Sequence, residues 1–213
     1  MLPFNSKTSL EPAQNRARGE AVSESFGDAR RTLSAYGSRV SEILALDQHG
    51  DRLMPLVAAG GSSTEARALL SKRKASDLFA GARAPEAALG GLWLYFSCFQ
   101  ECHEIVQNVA SPEGSFWHGI AHRQEPDAGN AAYWFRRVGS HPVFGDLRER
   151  AGEIAARYPG AGFRMGARWD PLAFIEFSEM AREQPGSESE SAALEIQRAE
   201  WQLLFDYCAR PRS

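Results

Sequence analysis

Apolar positions along the chain recur mostly at spacings of three and four, and alternating apolar and polar runs of four or more residues are almost absent. That periodicity predicts helices and no sheet. Ser23 to Leu46 mixes Ala, Leu and charged residues without proline and reads as one or two helices. His49-Gly50-Asp51 marks a turn, and Gly60 to Thr64 is a breaker from which Thr64 can cap a short helix Glu65–Lys72. Ser76, Leu78 and Phe79 suggest a further helical turn ended by Gly81. Pro85, tolerated in a first turn, opens a long helix to about Val109. Its centre, Leu92 to Phe99, is apolar nearly all round and should be buried on most faces. Ser97, Gln100, Glu101, Glu104 and Asn108 return at helical spacing as one polar stripe, with His103 and Gln107 beside it.

Downstream, Ser111-Pro112-Glu113-Gly114 reads as a turn before a short helix Ser115–Arg123, which Pro126 stops. Asp127 is placed to cap a helix Ala128–Val138, with Gly139 beyond its end. His141-Pro142 begins an extended link to an amphipathic helix Gly145–Tyr158. Pro159 to Trp169 is a loop able to pair briefly as a hairpin. Asp170-Pro171 opens a helix to about Arg182, and Gln184 to Ser191 is an exposed connector. A last helix, Ala192 to Cys208, carries an apolar stripe of Leu194, Trp201, Leu204 and Phe205. The expected fold is all-α: a helical bundle of about seven to nine helices around a buried central helix at about 85–109. Residues 1–20 are polar and read as an arm or a loosely docked helix, leaving 21–213 as a single domain.

The composition agrees. With 213 residues, 43% hydrophobic and 24% charged, the chain is a globular one and can bury a sizeable core. The 24 Lys and Arg against 27 Asp and Glu leave a net charge of −3, so no broad basic field exists to bind nucleic acid. No apolar run reaches the length of a membrane span, and the first residues carry no secretory leader. Cys98, Cys102 and Cys208 are too few for a disulfide framework and sit in apolar helical text, so the cytoplasm is the expected compartment.

Chemistry concentrates in one window. Four of the five histidines, His103, His118, His122 and His141, fall within residues 103–141. Among them lie Trp117, Arg123, Glu125, Asp127, Asn130, Tyr133, Trp134, Arg136 and Arg137. Aromatic and ionisable residues so interleaved suit neither a dry core nor a solvated face. They suit a semi-buried pocket for a small polar or anionic molecule. His118 and His122, four apart, place their rings one turn apart on one helix face, where both can reach one divalent transition metal. His103 is the candidate third ligand, with Glu104, Glu125, Asp127 or His141 as a fourth. A metal-free site is the other option. Glu125 is then the general acid or base, with His122 and His118 as its catalytic partners, although an ion pair of Glu125 with Arg123 is equally consistent with the text.

Trp117, Arg123, Asp127, Asn130, Tyr133, Trp134, Arg137 and His141 are the candidate ligand-binding residues. Arg136 and Arg137 can set a guanidinium fork over a carboxylate or phosphate, or simply complement their own helix end. Cys98 and Cys102 are expected to be small core residues, and Ser71 to Lys74 a solvated helix end. No phosphate-binding glycine loop, nucleophile elbow or HExxH is present. These features allow a hydrolase or isomerase, a metal-dependent hydrolase, or a non-catalytic protein in which the same residues form a buried hydrogen-bond network or a docking surface.

The block from Trp117 to Pro142, Trp-His-Gly-Ile-Ala-His-Arg-Gln-Glu-Pro-Asp-Ala-Gly-Asn-Ala-Ala-Tyr-Trp-Phe-Arg-Arg-Val-Gly-Ser-His-Pro, resembles the signature of a family of uncharacterised bacterial and fungal proteins, WHxxxHRxEPDxxNAxYWFRRVGxHP. Trp169-Asp170-Pro171 and the run from Gln197 through Glu200-Trp201 to Leu204-Phe205 are similar to family text as well, so the resemblance spans about residues 85–208. This chain has Gln124 where the commoner text has arginine. The resemblance implies a shared site and attaches no activity to it.

Overall fold

The computed structural model describes residues 36–211; the polar arm at 1–20 and the helical text from Ser23 to residue 35 lie outside the described residues. Ten α-helices follow in order, with no strand among the described residues. They are α1 Ser38–Leu44, α2 Thr64–Leu70, α3 Ala75–Leu78, α4 Pro85–Tyr95, α5 Phe99–Val106, α6 Pro112–Gln124, α7 Ala128–Val138, α8 Val143–Arg157, α9 Pro171–Arg182 and α10 Glu188–Ala209. Short 3-10 turns occupy Gln48–Gly50 and Pro159–Ala161, the latter inside the stretch expected to pair as a hairpin. The all-α expectation therefore holds.

The central helix is where sequence and structure part. From Ala87 to Tyr95 every residue is buried, as its uniformly apolar text requires. The helix nevertheless stops at Tyr95 and restarts at Phe99, with Ser97 in the left-handed region at φ 56°. In an unbroken helix the carbonyls of Tyr95 and Phe96 would accept from the amides four residues on. Here both are taken from outside: the Arg52 guanidinium donates to the Tyr95 carbonyl and, at 2.8 Å, to Ser97 Oγ, and the Ser62 amide donates to the Phe96 carbonyl at 2.8 Å. Long-range donors replace the helical ladder, and the chain turns. The expected single helix 85–109 is thus two helices, α4 and α5, and of the polar stripe only Gln100, Glu101 and Glu104 lie on α5, with Ser97 in the break and Asn108 beyond the helix end.

Other boundaries shift for local reasons. Ser111-Pro112-Glu113-Gly114 is the first turn of α6, because Ser111 accepts from the Gly114 amide at 3.2 Å and Pro112 takes the first helical position. Ser63 rather than Thr64 caps α2, accepting from the Ala66 amide. Pro142 is already helical and leads directly into α8, so the expected extended link is absent. Ser187 caps α10 at the Glu190 amide, which draws the second half of the supposed connector into the helix. Asp127 and Asp170 cap α7 and α9 as expected.

The core forms where α4 passes between α6 and α10. Trp201 of α10 donates from Nε1 to the Gly91 carbonyl at 2.7 Å, and the Trp117 ring of α6 lies over Gly91 so closely that a Cβ there would stand 2.5 Å from it. Glycine at 91 is therefore required for the approach. A second cross-tie is ionic. Arg123 of α6 and Glu200 of α10, both essentially without solvent exposure, pair through two guanidinium nitrogens. Gln197 beside them donates to the carbonyls of Met54 and Pro55, and Arg182 of α9 donates to the Arg123 carbonyl at 2.9 Å. This network fixes α6, α9, α10 and the segment before α2 to one another. On the other face of α6, His118 and His122 are turned toward α5 and α7.

A candidate three-histidine centre

His118 and His122 project from one face of α6, and His103 meets them from α5. The ring of His103 lies 4.5 Å from that of His118 and 5.2 Å from that of His122, edge-on to both. The rings of His118 and His122 stack at 4.8 Å and 14°. One nitrogen from each of the three lies within 4.8 Å of the other two. The break between α4 and α5 is what makes this meeting possible, since it frees α5 to turn and lay His103 against α6.

Surroundings differ sharply among the three. His118 is buried, and neither of its ring nitrogens has a hydrogen-bond partner. Burial first, and then the two neighbouring imidazoles, hold its pKa down to about 3, so the ring is neutral with a lone pair free. His103 is shifted the same way, mainly by burial and next by His122, with Glu125 and Glu104 opposing. His122 is buried and engaged at one nitrogen: its Nδ1 lies 2.9 Å from Glu125 Oε2, whose side chain is about half exposed. Glu125 closes α6 as its C-cap residue, which brings its carboxylate back over His122 three residues earlier.

The remaining expected residues separate into three places. Trp134 belongs to the cluster, its indole 3.9 Å from His118 and 18° from parallel. Tyr133 and Arg137 lie beside it in the open, Arg137 within 3.5 Å of the Tyr133 hydroxyl and 5.3 Å from the Trp134 ring, and Arg136 is exposed. Asp127 spends both carboxylate oxygens on Asn130, one on its amide and one on its side chain, so the two form the α7 cap; an oxygen of Asp127 still falls within metal-ligand range of His122 and Glu125.

Arg123 and Trp117 point the other way. Arg123 pairs with Glu200 rather than Glu125 and stacks over Phe174 at 4.4 Å, and Trp117 is wholly buried against Gly91. Neither faces the histidines, so the expected Arg123–Glu125 pair is replaced by Arg123–Glu200. His141 is displaced as well. Its ring contacts are Phe116, Phe144 and Tyr207, and its ionic neighbour is Glu113 at the far end of α6. Glu104 is exposed and accepts from Gln100.

Sequence reasoning missed Glu200 and Gln197. The signal was there: Ile196, Glu200 and Leu204 follow at intervals of four, placing a carboxylate within an apolar stripe. A charge in such a stripe calls for a buried partner, and Arg123 supplies it from 77 residues away.

The thiols are plain core groups. Cys98, Cys102 and Cys208 are free and buried, and burial pushes Cys98 up to about 11 and the other two higher. No helix among the described residues is long and apolar enough to cross a membrane. No known family model matches the chain, and no curated protein or solved structure matches it significantly.

Proposed function

We propose that the protein binds one divalent transition-metal ion through His103, His118 and His122 and uses it to hydrolyse a small polar or anionic molecule. The observation that carries this reading is His118, a buried neutral imidazole with both nitrogens unpartnered. Leaving a buried polar group without a partner costs about 1–3 kcal/mol, and a metal ion relieves that cost where two further imidazoles already face the same point. His103, His118 and His122 would each hold the ion through one ring nitrogen, the three nitrogens lying within 4.8 Å of one another.

The ion, held by these three imidazoles, would supply Lewis-acid activation of water for hydrolysis. Glu125 supports the arrangement by accepting from His122 Nδ1, which leaves Nε2 for the ion and fixes the tautomer. The open flank at Tyr133 and Arg137 gives an anionic substrate a place to approach. The three buried free thiols support a reducing compartment, consistent with the cytoplasm.

Elemental analysis of protein prepared without a histidine tag or chelator tests the reading. Near-stoichiometric metal that disappears in His118→Ala/His122→Ala is the expected result, followed by screens with activated esters, amides and phosphoesters. Failure to hold zinc, manganese, iron or nickel after reconstitution overturns it. The 2.9 Å contact between His122 and Glu125 favours a second reading, a metal-free proton-transfer pair in an isomerase or hydrolase. That pair would give a turnover abolished by Glu125→Gln and indifferent to chelators.

A further inference from the structure

At the opposite end of α6 from the three histidines, Arg83, Glu86, Val109, Ser111, Glu113 and Tyr207 line a hollow of about 820 Å³. No residue of the histidine cluster lines it. Arg83 is held in place from two sides. Its amide donates to the Arg210 carbonyl at 2.7 Å, and its guanidinium lies over the Tyr207 ring at 4.1 Å. Tyr207 in turn rests against the buried His141 ring at 4.8 Å. The half-buried Arg83 nevertheless has no carboxylate partner among the described residues. Glu113, with a side chain 15% exposed, lacks a counter-ion in the same way. Its one ionic neighbour among the described residues is His141 Nε2 at 3.9 Å, too far for a hydrogen bond. Burial holds the His141 pKa below its ordinary value, so that neighbour carries no charge.

Two charges of opposite sign thus line one hollow without pairing with each other or with a protein counter-ion. An occupant of a single sign satisfies one of them and meets a like charge at the other. Glu113, with Glu86 exposed at the rim, repels an anion, and Arg83 repels a cation. An occupant that carries both signs satisfies both side chains through charge-assisted hydrogen bonds. Ser111 adds a donor for the anionic end. Its Oγ already accepts from the Gly114 amide at 3.2 Å, and its hydroxyl proton has no acceptor among the described residues. We infer that this hollow binds a small amino carboxylate, a free amino acid, with its carboxylate on Arg83 and Ser111 and its ammonium group on Glu113.

Isothermal titration of the full chain with L-alanine, L-leucine, β-alanine and 4-aminobutanoate tests the site, since these differ in charge separation and apolar bulk. Propionate and butylamine, each carrying one of the two charges, are the controls. At least one amino acid should bind in the millimolar range or tighter, and about tenfold more tightly than either control. Arg83→Gln should abolish that binding, and Arg83→Lys, which keeps the charge but loses the planar fork, should weaken it. Glu113→Gln, which keeps the shape of the side chain, should reduce amino-acid binding to the level of propionate. Circular dichroism confirms that the variants fold. His118→Ala/His122→Ala should bind as the parent does, so this result stands or falls apart from the metal centre. No heat from any of the four amino acids, showing that the hollow holds only water, overturns the inference. So does equal binding of amino acids and single-charge controls, or binding unchanged in both Arg83→Gln and Glu113→Gln.

Discussion

The imidazole of His118 lies flat on the indole of Trp134, their centroids 3.9 Å apart. That contact joins α6 to α7 and fixes the orientation of a ring that no hydrogen bond holds. In metal sites the ligand rings are usually oriented by a hydrogen bond to the second nitrogen. In the metal site proposed above, the aromatic face would take that part for His118, and Glu125 would serve His122 in the usual way.

Trp134→Leu should therefore weaken metal binding more than it weakens the fold. Stacked aromatic pairs contribute about 0.5–1.5 kcal/mol, so the melting temperature should fall by a few degrees at most. Loss of ring orientation should reduce zinc affinity about tenfold or more. Competition with a chromophoric chelator measures the affinity, and unaltered affinity would show that the stack does not orient His118.

His118→Leu should leave the metal-free protein as stable as the parent or more so. The substitution removes two buried nitrogens without partners and keeps an apolar side chain over Trp134. Thermal melts in the presence of chelator check the sign, and elemental analysis should show the metal gone. A loss of about 3 kcal/mol or more would identify His118 as a structural core group instead.

The same residue gives the metal-free protein an acid sensitivity. In the unfolded chain His118 takes up its proton as pH falls through about 6.5, whereas the folded protein resists protonation until about pH 3. Between those values the unfolded state binds more protons, so stability is full above pH 6.5 and declines progressively toward pH 3. His103, shifted in the same direction, adds to the decline. Urea midpoints measured from pH 7 to pH 4 should fall in the parent, and His118→Leu should flatten the curve.

Glu200→Gln should be among the most damaging single changes in the chain. It leaves the Arg123 charge buried without its partner, and breaking such a pair costs about 3–5 kcal/mol. Arg123→Met/Glu200→Leu, which removes both charges, should recover most of the loss. Urea denaturation of the three proteins measures the difference; equal destabilisation by the single and double variants would mean that shape, not charge, holds α6 to α10.

Much of this protein is written in local text. Helical periodicity, and caps such as Asp127 and Asp170, act over three or four residues, so they fix the all-α class and the limits of α7 and α9 without reference to the rest of the chain. The i, i+4 spacing of His118 and His122 likewise sets two rings on one face of any helix that contains them. Pairing at a distance is different. The break after Tyr95 depends on Arg52 and Ser62, more than 30 residues earlier, and the side that Arg123 faces depends on Glu200. No local preference encodes a donor that arrives only when the chain has folded. For that reason the sequence by itself determined the all-α class, the limits of α7 and α9 and the histidine pair, whereas tertiary structure decided that the central helix breaks, that His103 joins the pair, that Arg123 and Trp117 turn into the core, and that His141 stands apart at the other end of α6.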